Sequence, residues 1–198
     1  MSKPLLMMVM MLSAALALAE PGTNSTASPQ LKAGVLSPVM PAPPLGLQGT
    51  DGRPLDLAKY RGKVVLLAFG FSSCGEVCPI TLATLAGARR KLGAAADRVQ
   101  VVYVTVDPER DTAERMKKFL GSFDPTFVGG VGTPEAIDAA KQRYGVSSKK
   151  ITYPDGSYTI GHSSSIFLID RTGGLHAVMP YGHTVDDFVH DLEILLRS

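Results

Sequence analysis

The sequence is short of cysteine. There are two in 198 residues, Cys74 and Cys78, so at most one disulfide can form within the chain. Neither sign of charge is in excess: 20 Lys and Arg stand against 18 Asp and Glu, a formal +2, which supplies no electrostatic footprint for nucleic acid. Tryptophan is absent. No apolar run reaches the roughly 20 residues a membrane span usually needs. Internal repeats and nucleotide signatures are also missing. Gly129, Gly130 and Gly132 have no adjacent G-K-[ST] and follow no G-x-G-x-x-G pattern, so they form no phosphate loop. What is present is enough apolar material, 45% of residues, for one globular domain with a real core.

The longest apolar stretch lies at the N-terminus. "MSKPLLMMVMMLSAALALAE" carries Lys3, then an apolar run over residues 5–19, and closes with Ala17, Leu18 and Ala19 in an A-x-A pattern. It reads as a signal peptide, residues 1–19, with an uncleaved anchor as the alternative. Met1, Met7, Met8, Met10 and Met11 then belong to the signal's apolar segment rather than to a soft-metal site. No organelle transit pattern is visible, so the destination reads as the bacterial periplasm, an oxidising compartment, with a tether to the inner membrane if the segment is retained. Residues 20–44 hold six prolines and little apolar periodicity, and read as a Pro-rich tether. Ordered structure is expected to begin near Leu45, giving one domain over residues 45–198.

Within that domain Asp51 and Gly52 stand between two short apolar segments and predict a hairpin. "KVVLLAFGF" and "VQVVYVTVD" are continuous apolar runs, read as buried strands. "PITLATLAGARRKLG" has Leu82, Leu85, Ala86 and Leu92 at helical spacing, with Pro79 in a first turn. "DTAERMKKFLGSF" predicts a helix capped by Asp111 or Thr112, and "TPEAIDAAKQRYGV" one capped by Thr133 with Pro134 first and Gly145 at its end. "PTFVGG" predicts a short strand. "SSIFLIDRTGGLHAVMPYG" reads as two strands joined at residues 171–174, and "TVDDFVHDLEILLRS" as an amphipathic helix with Val185, Phe188, Val189, Leu192, Leu195 and Leu196 on one face. The order β-α-β-α-β-α-β-β-α predicts an α/β sheet covered on both faces.

The two thiols occupy the stretch "GFSSCGEVCPITL". A structural bridge there closes a ring of about 5 residues and stabilises the fold by only about 2 kcal/mol in the loop-entropy model, so purely structural use is a weak reading. Cys74 falls in the loop leaving a central strand and Cys78 just before a helix. That carboxyl edge is where open α/β sheets bind ligands. A helix N-terminus favours thiolate, which predicts a lowered pKa for at least one thiol. Thiolates serve both disulfide exchange and soft-metal binding, and the C-x3-C spacing alone does not choose between them.

The chain resembles the SCO/SenC family of thioredoxin-like copper proteins that assist assembly of cytochrome c oxidase. The resemblance runs from about Leu45 to the C-terminus and rests on "LLAFGFSSCGEVCPITL", "VVYVTVDPERDT" and "YTIGHSSSIFLIDRTG". It implies a thioredoxin-like fold, a mixed sheet covered by helices with an N-terminal β-hairpin. It further implies one copper ion per chain, Cu(I) or Cu(II), held by Cys74, Cys78 and His162, with Asp107 beside the site. Gly75 and Glu76 stand where the family often has proline and aspartate, and Gly161 where it often has aspartate. By analogy with thioredoxin-like folds, His162, just before "SSSIFLID", faces the cysteine loop. Two thiolates and a neutral imidazole suit Cu(I), and Cu(II) with an added ligand; zinc also accepts such donors but commonly takes a fourth. His176, His183 and His190 read as surface or structural residues, as do Glu109, Arg110, Asp111 and the run Arg89, Arg90 and Lys91.

The reading is therefore a monomeric, exported copper chaperone whose partners are the copper A subunit of cytochrome c oxidase and other periplasmic copper chaperones. It has no nucleic-acid partner, and touches the membrane only if residues 1–19 remain. The alternative is a thiol–disulfide oxidoreductase with Cys74 and Cys78 as its redox pair, or a redox or copper sensor. C-x3-C in place of C-x-x-C argues against a general disulfide reductase, and the missing T-x-x-C against a peroxidase.

Overall fold

The computed structural model describes residues 30–198. The signal-peptide reading of residues 1–19 lies outside the described residues. Among the described residues no helix is long and apolar enough to cross a membrane.

Two strands form the centre. β4 (Val64–Gly70) and β5 (Val99–Thr105) are buried at every position, because side chains on both faces meet covering elements. They pair in parallel, Val64 beside Val99 through Gly70 beside Thr105, so the chain leaves both strands at one edge of the sheet. Around them the sheet grows to eight strands in the order β1-β10-β9-β4-β5-β6-β2-β3. The further members are β1 (Gly34–Pro41), β2 (Leu47–Gly49), β3 (Pro54–Leu55), β6 (Val128–Val131), β9 (Ile166–Ile169) and β10 (Gly174–Met179). β6 continues the parallel set; β9, β10, β1, β2 and β3 run antiparallel to their neighbours. A separate antiparallel pair, β7 (Ser148–Thr152) and β8 (Tyr158–His162), stands outside this sheet.

Among the described residues four α-helices complete the layers. α1 (Val77–Lys91) packs along α4 (Val185–Arg197), which lies on β4; α2 (Ala113–Gly121) lies against β6, and α3 (Pro134–Arg143) against β2. Thr112 caps α2 and Thr133 caps α3, each accepting from a backbone N–H inside the helix. Thr184 and Asp187 form a reciprocal capping box on α4. Leu82, Leu85, Phe188, Leu192 and Leu195 are buried between the helices and the sheet. Each such side chain contributes roughly 1.5–3 kcal/mol by leaving water.

The α/β expectation is met, including the hairpin at Asp51 and Gly52, now β2 and β3. Two elements differ from expectation. Order does not begin near Leu45: within the Pro-rich segment, residues 34–41 form β1 on the sheet edge beside β10. An edge strand needs no N–H on its open side, so Pro38 and Pro41 are tolerated there. The buried carboxylate of Asp191 secures the strand's entry by accepting from the backbone N–H groups of Lys32 and Ala33 at 2.7 and 2.8 Å. The second difference is the β7–β8 pair, which the sequence reading left without structure.

Candidate metal centre

The shared edge of β4 and β5 builds one wall of the site. From Gly70 the chain turns through Phe71, Ser72 and Ser73 to Cys74, and α1 begins at Val77. Cys78 therefore lies inside the first helical turn rather than before it. Glu76 stands at the cap position with no side-chain bond to the helix. The Cys74 sulfur approaches the N–H of Cys78 at 3.5 Å instead. Cys74 is half-buried and Cys78 buried, and both are free thiols.

Asp111 holds this loop. Its carboxylate, fully enclosed, accepts from the Ser72 backbone N–H at 3.1 Å, from the Thr105 hydroxyl at 2.7 Å and from the Ser72 hydroxyl. Arg115 adds contacts to the Ser72 and Ser73 hydroxyls at 2.7 and 2.8 Å. The sequence reading offered Asp111 as a cap for α2; Thr112 takes that position and frees Asp111 to anchor the cysteine loop.

The β7–β8 hairpin forms the opposite wall and carries His162 at its end. His162 Nε2 lies 3.6 Å from Cys78 Sγ, while Nδ1 lies 2.8 Å from the carbonyl of Ser163. A carbonyl only accepts, so Nδ1 carries the proton and the Nε2 lone pair faces the sulfur. Burial lowers the pKa of His162 against the opposing pull of the Ser163 carbonyl, which keeps the ring neutral. Phe71 packs against the imidazole edge-to-face, with centroids 5.9 Å apart.

The segment after β5 clamps the hairpin. Buried Asp107 pairs with Arg110 Nε and accepts from the Tyr158 hydroxyl at 2.9 Å. Arg110 donates to the Tyr158 carbonyl at 3.0 Å and lies between the rings of Tyr158 and Phe71, 3.7 and 5.7 Å from their centroids. Lys150 reaches Glu109 at 2.6 Å. The carboxylate of Asp107 thus acts on the hairpin that bears His162, one step removed from the donors.

The thiols differ in burial. Burial pushes the Cys78 thiol up to about 12, with the Tyr103 hydroxyl pulling the other way. Desolvation dominates at Cys78, so the lowering expected for at least one thiol is not found there. Tyr103 was not singled out in the sequence; its signal there is one hydroxyl-bearing ring within an otherwise apolar strand. Gly70 makes room for it. A Cβ at Gly70 would lie 1.8 Å from the Tyr103 hydroxyl and 2.9 Å from Cys78 Sγ, so only glycine admits both. By contrast, a Cβ at Gly75 meets nothing within 4 Å and one at Gly161 only ordinary contact, so packing does not require glycine at either of these departures from the family pattern.

The remaining histidines stand apart from this cluster. His176, His183 and His190 lie 3.5, 3.5 and 2.9 Å from the carboxylates of Asp170, Asp187 and Asp191. Among the described residues no three His, Cys, Asp or Glu side chains are already gathered as a metal-holding group. The nearest approach to one is Cys78 and His162 facing each other, with Cys74 turned onto the Cys78 N–H. Two sulfurs and an unprotonated imidazole nitrogen are the donors soft metals prefer.

The chain is similar in sequence and fold to known proteins. A mitochondrial SCO2 homolog of Mus musculus is 38% identical over 125 residues, covering 62% of this chain and 49% of that protein. The chain thus spans about half the length of this curated relative. Apo Sco1 from Thermus thermophilus superposes with a TM-score of 0.76 at 37% identity, covering 85% of this chain and 99% of that one. ScoI of Bradyrhizobium japonicum, solved with copper bound, gives 0.72 at 34% identity over 79% and 99%. The SCO1/SenC family model matches residues 42–197, and the chain belongs to that family.

Proposed function

We propose that the protein binds one copper ion per chain through Cys74, Cys78 and His162 and helps metallate the copper A centre of cytochrome c oxidase. The observation that carries this reading is the pairing of Cys78 Sγ with the unprotonated Nε2 of His162 at 3.6 Å, with Cys74 alongside. The copper-bound relative from Bradyrhizobium japonicum supports the choice of metal, and the family resemblance supports the oxidase as destination. The protein acts in an exported, oxidising compartment. Removal of residues 1–19 frees it there; intact mass of the exported product checks the cut after Ala19, and a membrane-bound species retaining Met1 would overturn it.

His162 needs no proton change to become a donor, because Ser163 already holds its Nδ1–H. Cys78 gives up its thiol proton as it takes the ion. Cys74 turns from the Cys78 N–H to close the set. Being half-buried, it is the donor that an incoming partner thiol reaches first, which suits stepwise handover of Cu(I). The same access allows reduction of an acceptor disulfide by the Cys74 and Cys78 pair.

His162→Ala separates these two uses. Disulfide exchange requires both cysteines but no imidazole, whereas the copper site requires all three. The variant is expected to lose Cu(II) binding and its sulfur-to-copper charge-transfer band. Cu(I) held by two thiolates suffers less, and exchange with a small disulfide is largely kept. Failure of oxidase assembly in cells by Cys74→Ser, Cys78→Ser and His162→Ala alike supports copper binding. Assembly supported by His162→Ala alone would overturn it in favour of a thiol–disulfide oxidoreductase.

A further inference from the structure

Tyr103 sits in the middle of β5 and is 1% exposed, yet its hydroxyl has no hydrogen-bond partner. Buried hydroxyls are normally satisfied. Tyr144 illustrates the ordinary case: its hydroxyl donates to the Pro43 carbonyl at 2.7 Å. The Tyr103 hydroxyl instead shares with Cys78 Sγ the space that a side chain at position 70 would fill. The hydroxyl is close enough to favour a Cys78 thiolate, but the neutral thiol is a poor acceptor and no hydrogen bond to it is formed, which accounts for the orphan. A thiolate bound to a metal is a good one.

We propose that Tyr103 is a positioning residue of the copper site, its hydroxyl donating a hydrogen bond to the Cys78 sulfur once that sulfur is a copper-bound thiolate. The inference rests on the copper reading of Cys74, Cys78 and His162. The bond fixes the direction of the sulfur lone pairs and withdraws electron density from them, which tunes the metal through its ligand. It has a further consequence for stability. In the metal-free protein the hydroxyl is a burden, a polar group out of water with nothing to bind. In the loaded protein it is satisfied. One side chain therefore disfavours the empty state and favours the filled one.

Tyr103→Phe removes the hydroxyl and keeps the ring, so the fold is retained. Cu(I) affinity, measured in competition with a chelator, is expected to fall about tenfold, as for other groups that orient metal ligands. The sulfur-to-copper charge-transfer band of the Cu(II) form is expected to move to lower energy, because the sulfur lone pair loses its stabilising donor. The thermal midpoint of the metal-free variant should match or exceed that of the wild type, while the rise on adding copper shrinks. Tyr144→Phe, the same change at a satisfied hydroxyl, should lower both midpoints together and leave the band in place. A band and affinity indifferent to Tyr103→Phe would overturn this inference alone, as would a loss of midpoint shared equally by the empty and loaded forms. A wild-type protein with no Cu(I) binding and no charge-transfer band would overturn the copper reading itself, and this inference with it.

Discussion

The two walls of the site are made of different material. One is the end of β4, the cysteine loop and α1, continuous with strands buried on both faces. The other is the β7–β8 hairpin, two strands outside the main sheet whose side chains are mostly exposed on β7 and mostly half-buried on β8. An isolated two-stranded hairpin is marginal in water, so this one depends on how it is docked. Its docking is largely polar and aromatic, Asp107 and Arg110 against Tyr158 and Glu109 against Lys150, with Ile160 as its apolar contact with the core. The thiols are thus held on the rigid wall and the imidazole on the lightly held one. Under the proposed copper reading, a site built this way would admit or release an ion by moving one wall without disturbing the core.

Changes on the rigid wall test this division most severely. Cys78→Ser replaces the enclosed sulfur and is expected to weaken Cu(I) binding by more than about 1,000-fold, since a hydroxyl is a poor donor for a soft ion. Chelator competition measures it; a loss under tenfold would mean that Cys78 is not a ligand. Asp111→Ala leaves the Thr105 hydroxyl and the Ser72 N–H without their acceptor and should cost about 3 kcal/mol in urea unfolding. A cost below about 1 kcal/mol would show that the loop is held by other contacts.

The pH dependence of the empty protein tests the same wall more gently. Cys78 has a folded pKa of about 12 against a reference of 9.0. A thiol whose pKa is raised by folding binds its proton more tightly in the native state. Its contribution is intact below about pH 9 and is lost as pH rises toward 12, at up to about 1.4 kcal/mol per pH unit. Urea unfolding between pH 9 and 10.5 should show that slope exceeding the slope of Cys78→Ser, and equal slopes would refute it. The smallest effect is expected on the hairpin. Tyr158→Phe removes one hydrogen bond to Asp107 and should cost about 1 kcal/mol. Its signature is local: amide exchange quickens in residues 148–162 and stays unchanged in β4 and β5. Equal acceleration in both would mean that the two walls open as one.

The rigid wall was legible in the sequence and the hairpin was not, for a physical reason. "KVVLLAFGF" and "VQVVYVTVD" declare burial by composition, and the helices by the spacing of their leucines. β7 and β8 have no buried face to impose an alternating pattern. Their turn was signalled by Asp155 and Gly156, the latter at φ +81°, between Ile151 and Tyr153 on one side and Tyr158 and Ile160 on the other, but these flanks are exposed or half-buried and declare no core face. His162 could be placed opposite the cysteine loop by fold analogy, while the element that carries it could not. The segment "DPERD" was legible as a turn and cap. That Asp107 and Arg110 grip Tyr158 while Asp111 grips Ser72 depends on the parallel register of β4 and β5, which no local pattern encodes. Tyr103 was hidden in the same way, since an apolar run announces burial and says nothing about which hydroxyl within it is left unpartnered.

The bond from His162 Nδ1–H to the carbonyl of its own neighbour, Ser163, moves with the histidine wherever the hairpin goes. The choice of donor nitrogen is therefore made inside two consecutive residues and survives any excursion of the flap. In terms of proton stoichiometry, capture of an ion at this nitrogen sets no proton free and its departure takes none up. The protons exchanged with solvent on loading would be those of the Cys74 and Cys78 thiols, on the opposite wall. Under the proposed copper reading, the imidazole would let go of the ion and take it again with no proton passed to or from the buffer.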